Sequence, residues 1–170
     1  MPAIINFALR GLQIFFAIVI LGLSGHLVAS QALGGAPSVT NYEVFLGIWL
    51  LVVSFLGLAA VKVDALAGIV GVALEGLTLL FTFAGGTAMA AKLGVHSCSC
   101  SADHQSCPYL VNNVVINGGK DKTGAVDLNV NRVRRCREAQ ADTAFIWFAF
   151  GTFLATSALA LLAWRRGGKI

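Results

Sequence analysis

Four stretches of the chain, residues 11–33, 44–61, 65–91 and 143–164, are almost wholly apolar, and a long polar interruption at 92–142 separates the last two. Each stretch is long enough to cross a hydrocarbon core of about 30 Å at about 1.5 Å per helical residue. Unpaired backbone groups are so costly in lipid that such segments must be helical. The pattern predicts an all-α membrane protein, a four-transmembrane-helix bundle forming one domain over residues 1–170. The first stretch exceeds the short apolar run of a signal peptide and reads as a retained anchor. The link between the second and third is so short that these spans form an antiparallel helical hairpin.

The interruption has a pattern of its own. Tyr109-Leu110-Val111 and Val114-Val115-Ile116 are β-rich, Asn117-Gly118-Gly119 is a turn signal, and Val126, Leu128 and Val130 alternate with polar neighbours. A small two-stranded β-hairpin is expected inside the loop. Arg134 and Glu138 stand at i,i+4, and the arginine cluster at 132–137 reads as a solvated helix start with local ion pairs.

Composition then names the solvent. The chain is 57% hydrophobic and only 12% charged, about half the charge of a soluble domain, with a mean hydropathy of +0.80. A domain of this size cannot hide so much apolar area. A soluble enzyme, a disordered tail and a nucleic-acid binder are excluded. The loop carries 12 of the 20 charged residues, and the net charge of +4 reads as a basic loop base and a basic short tail. No nucleophile elbow, phosphate loop, dinucleotide fingerprint or zinc-protease helix is present, so neither an enzyme nor a cofactor is predicted.

Cys98, Cys100, Cys107 and Cys136 all lie in the loop. In an oxidising compartment they read as two disulfides, with three pairings open, that staple a loop too small for its own core. His96, Cys98, Cys100, His104 and Cys107 offer an alternative zinc set, but Cys-x-Cys lacks the usual knuckle spacing and no metal is assigned. Positive charges near the membrane divide evenly between the two sides and do not orient the chain. The cysteines do, placing the 92–142 loop outside and both termini in the cytoplasm.

Glu75 is the one formal charge within the four apolar stretches. An intramembrane carboxylate is costly and should face the bundle interior. Counting from the span midpoints, Ser54, Thr156 and Ser157 lie at about its depth, within roughly 5 Å. A proton or cation relay is one reading of Glu75. A carboxyl that glues helices together is the other, and is favoured because no second charge stands in any span. His26 lies on the opposite side of the midplane and reads as a helix–helix hydrogen bond. Tyr42, Trp49, Trp147 and Trp164 are placed as interfacial aromatics. Arg165, Arg166 and Lys169 are placed to contact anionic lipid headgroups. Small residues four apart, such as Gly25/Ala29, permit close helix approach and self-association as a homo-oligomer.

Three motifs occur together: Leu80-Phe81-Thr82-Phe83-Ala84-Gly85-Gly86-Thr87, His96-Ser97-Cys98, and Arg135-Cys136-Arg137-Glu138-Ala139-Gln140-Ala141. In these the chain resembles the fungal MARVEL-domain tetraspan proteins of the non-classical export protein 2 type. The resemblance covers all four spans in layout and about residues 74–155 in motif. It implies cytoplasmic termini, a Cys98–Cys136 disulfide and an acidic residue at the position of Glu75. It also implies a plasma-membrane role in organising eisosome subdomains, responding to sphingolipid state, and trafficking or export. Cys100 and Cys107 depart from the family pattern. The expected function is a non-enzymatic membrane organiser whose partners are membrane lipids, sphingolipid or sterol, and no nucleic acid. The rivals are a small channel or proton-coupled transporter centred on Glu75, and an adhesion module acting through the 92–142 loop.

Overall fold

A computed structural model of the protein describes residues 3–60, 69–94, 96–99 and 107–165. Helices α1 (Ala3–Ala29), α2 (Ser38–Ala59), α3 (Ile69–Leu93) and α5 (Arg132–Arg165) are long, and α4 (Pro108–Asn112) is a short helix in the loop. The four long helices each contain an apolar window fit to cross a membrane. Within that window each is apolar nearly all round, as a helix with lipid on one side and protein on the other must be. Phe15, Ile18, Ile48, Phe55, Leu80, Phe83, Phe148 and Leu154 remain exposed on the outside of the bundle.

Around the bundle, α1 packs on α2 and α5, and α3 packs on the same two helices. The helices therefore form a ring in which α1 and α3 occupy one diagonal and α2 and α5 the other. The mid-bundle core contains Ile20, Leu46, Leu50, Ile146 and Phe153. A second core, with Leu27, Met89, Leu110, Val115, Ile116 and Cys136, joins the loop to one end of the bundle. That end is called the loop side below, and the opposite end the terminal side.

Three spans begin earlier than the hydropathy pattern implies. Helix α2 starts at Ser38, which brings Glu43 inside it. Helix α1 starts at Ala3, so Arg10 lies well inside it, and α5 starts at Arg132 rather than Thr143. The expected β-hairpin is absent, and the described residues contain no strand. Pro108 opens the short helix α4 instead, since proline is preset for a first helical turn. Residues 114–116 form a turn capped by the Asn113 side chain, whose Oδ1 accepts from the Val115 N–H at 3.0 Å. The carbonyls of Val115 and Ile116, which a hairpin partner would need, accept from the Arg135 guanidinium at 3.0 and 3.2 Å.

The loop is then laid against the α1–α2 connection. Both Ala32 and Leu33 donate backbone N–H groups to the Gly118 carbonyl. Gly119 has φ +101°, and a Cβ there would stand 1.7 Å from the Leu33 carbonyl oxygen. Only glycine fits this crossing.

Candidate functional site

Polar side chains inside the bundle gather at two levels. On the terminal side, Arg10 on α1 forms a buried ion pair with Glu75 on α3, across a diagonal. Arg10 also donates to Gln13 Oε1 at 2.9 Å. Glu75 Oε2 accepts from Ser157 at 3.0 Å and from Thr156 at 3.3 Å, both on α5. Gln13 closes the ring by donating to Thr156 Oγ1 at 3.2 Å. Gly57 on α2 makes room for this reach, because a Cβ there would stand 2.3 Å from the guanidinium carbon of Arg10. Counter-charge, donors to both Glu75 oxygens and space are supplied by the protein, as a buried ion pair requires, while Arg10 Nε stays without a partner.

Thr156 and Ser157 therefore meet Glu75. Ser54 does not: its hydroxyl donates to its own helix at the Leu50 carbonyl, at 2.6 Å. Arg10 was not among the residues the sequence put beside Glu75, because a lone cation one residue before an apolar run reads as its flank. Glycine at position 57 is the sequence feature that accompanies it, but glycine is too common in these spans to single out.

At the loop side the chief connector is Arg135. It is almost fully buried and donates to the carbonyls of Leu27, Val115 and Ile116, to Gln31 Oε1, and to the Ser30 hydroxyl. One guanidinium thereby joins the end of α1, the loop and α5. This corrects the reading of the 132–137 cluster as solvated, although Arg134 does pair with Glu138 at 2.7 Å. His26 on α1 lies 2.9 Å from Glu138 on α5. His96 stacks on Tyr109 at 4.0 Å between ring centroids.

Cys98 and Cys136 form a disulfide with Cα atoms 5.7 Å apart, tying the segment that follows α3 to the second turn of α5. Cys107 is also disulfide-bonded. These sulfurs are thus not thiolate ligands, and among the described residues no cluster of three or more His, Cys, Asp or Glu could hold a metal. Cys100 and His104 lie outside the described residues. Further out, the Asp121 carboxylate accepts from the side chain of Thr123 and from the backbone N–H groups of Thr123 and Ala125, which hold it below the usual carboxylate range. For the proposed headgroup cations, Arg165 ends α5, while Arg166 and Lys169 lie outside the described residues.

A second acidic site was not anticipated. Glu43 on α2 and Asp142 on α5 are both fully buried, and all four carboxylate oxygens lack a hydrogen-bond partner. Asp142 lies within electrostatic range of Glu43. Both residues stand one position outside the apolar stretches, and so were assigned to the polar connections.

A helical membrane bundle whose interior is tied by polar side chains, and whose large loop is pinned by a disulfide, is the class of protein that this geometry defines. The comparisons narrow it. A family model for MARVEL, a membrane-associating domain, matches residues 3–159, and the chain belongs to that family. It is 33% identical over 170 residues to "Non-classical export protein 102" of Candida albicans, covering 99% of this chain and 88% of the relative. It is 28% identical over 163 residues to "Non-classical export protein 2" of Saccharomyces cerevisiae, covering 95% and 82%. A "Non-classical export protein 2 homolog" of Schizosaccharomyces pombe is 26% identical over 155 residues, covering 90% and 74%. No solved structure matches the chain.

Proposed function

We propose that the protein is a non-enzymatic organiser of plasma-membrane subdomains of the eisosome kind, responsive to sphingolipid state and serving trafficking or non-classical export. In this reading the loop faces outward and both termini are cytoplasmic. The observation that carries it is an apolar exterior wrapped around an interior in which the one mid-span carboxylate, Glu75, is neutralised. Glu75 is neutralised by Arg10 and hydrogen-bonded by two hydroxyls, which weighs against transport at that residue. Outside, large side chains such as Phe15, Ile48, Phe83 and Phe148 are directed at lipid.

Two further features support the reading. A loop-side cavity of 470 Å³ lies between the α1–α2 connection and the loop, with Lys92 and Lys120 in its wall beside Gln31 and Asn117. Two cations at the level of the headgroups suit a phosphorylated lipid headgroup. Gly25 on α1 has open space beyond it, a surface over which a second copy can approach closely.

Purification in mild detergent, followed by mass measurement of the intact particle, tests the proposal. Retained phosphorylated sphingolipid, or a dimer or larger assembly, is the expected outcome. A strictly monomeric, lipid-free particle would overturn it. Cation or proton flux in liposomes that is abolished by Glu75→Gln would restore the transporter reading.

A further inference from the structure

The loop-side acid pair is not explained by membrane organisation. Glu43 stands five residues into α2, about 7–8 Å along the helix, and Asp142 ten residues into α5, about 15 Å along it. Neither carboxylate has a donor among the described residues: both side chains are fully buried, and none of their four oxygens is hydrogen-bonded.

Thr40 is an independent sign. It lies one turn before Glu43 on the same face of α2, is fully buried, and its hydroxyl also lacks a partner. Other buried hydroxyls in the bundle behave differently. Those of Ser24, Ser54 and Thr82 donate back to a carbonyl four residues earlier in their own helix. Nearby cations are already engaged: Arg135 is held by carbonyls, a hydroxyl and an amide oxygen, and His26 faces Glu138.

Helix α3 packs closely over Glu43. Gly85, in the Phe-Ala-Gly-Gly stretch, faces Glu43 so closely that a Cβ there would stand 3.2 Å from Oε1. Its neighbour Gly86 lets α3 approach Trp147 and Ile146 of α5.

We infer that Glu43, Asp142 and Thr40 form a binding site for one hard divalent cation, of the calcium or magnesium class, between α2 and α5. Two carboxylates in a low-dielectric interior repel one another and cannot both remain charged alone. One divalent ion brings the site to zero net charge. The donors on offer, five side-chain oxygens and no nitrogen or sulfur, are those that hard cations take. The ion would join the diagonal that no pair of protein charges closes.

The test uses the full chain in detergent, stripped with chelator and then titrated with calcium or magnesium at constant ionic strength. Thermal unfolding is followed by tryptophan fluorescence. One of the two cations should raise Tm saturably, on the order of 5–10 °C at a hundredfold excess over Kd. The shift should vanish in Glu43→Gln and Asp142→Asn and persist in Glu138→Gln. A second measurement needs no variant: Tb³⁺, which takes oxygen ligands, should give luminescence sensitised through tryptophan in the native chain and be displaced by the same cation. The proposal is overturned if neither cation shifts Tm and Tb³⁺ gives no sensitised signal. It is overturned equally if the shift survives in both variants.

Discussion

Arg10 and Glu75 span the α1–α3 diagonal on the terminal side; Glu43 and Asp142 stand toward the α2–α5 diagonal on the loop side. The first diagonal is closed by opposite charges with hydroxyl and amide support. The second brings together two like charges with none. Burial is similar at both levels, so burial alone does not distinguish a structural polar cluster from a site that awaits a ligand. Whether the carboxylate oxygens find donors does. A closed set such as that around Glu75 holds helices together, whereas an open set made only of acceptors calls for a cation.

The contrast can be broken most strongly at Arg10. Arg10→Ala leaves Glu75 buried without its counter-charge and should cost roughly 3–5 kcal/mol, read as lost resistance to denaturant in detergent. The double change Arg10→Leu with Glu75→Leu should recover most of that loss, because removing both charges removes the desolvation cost as well. Recovery of nothing would mean that the pair is not the unit that matters.

Next in size is the disulfide. Cys98→Ser should lower the stability of the loop-side core by about 2–4 kcal/mol, seen as faster amide exchange at residues 115–117. The terminal-side cluster should keep its own protection, since Arg10, Glu75 and Ser157 are at the far end of the bundle.

A smaller change probes space rather than charge. Gly57→Ala places a methyl group where the Arg10 guanidinium passes, and overpacking of this kind costs about 1–3 kcal/mol. Its effect should largely disappear in the Arg10→Leu, Glu75→Leu background; an undiminished loss there would place the clash elsewhere.

The smallest effect has the opposite sign. In chelator, Glu43→Gln should raise stability by about 1 kcal/mol, because it removes one of two unneutralised buried charges. Glu75→Gln under the same conditions should lower it. If both substitutions act in the same direction, the distinction between the two levels fails.

The four spans, the loop and its cysteines were legible in the sequence because membrane crossing is a one-dimensional property: length and apolarity suffice. Arg10, Glu43 and Asp142 were hidden by the same rule. Each stands one residue outside an apolar stretch, and cutting spans at charges assigns a charge at the boundary to water. Only the partner on another helix reveals that it is buried. The loop failed for a different reason. Residues 109–116 have strand-like composition, but Pro108 starts a helical turn and Arg135, some twenty residues further on, binds the carbonyls of Val115 and Ile116. Composition records a residue's local preference and says nothing of a distant donor that competes for its backbone.

Helix α5 runs without interruption for 34 residues, about 51 Å at 1.5 Å per residue, against about 30 Å of hydrocarbon. It is a shaft longer than its bearing. Near its loop-side end it carries Arg135, Cys136 and Asp142, and toward the other Thr156 and Ser157. A torque applied to the loop by anything that grips it is delivered, undamped by any joint, to the hydroxyls that hold Glu75.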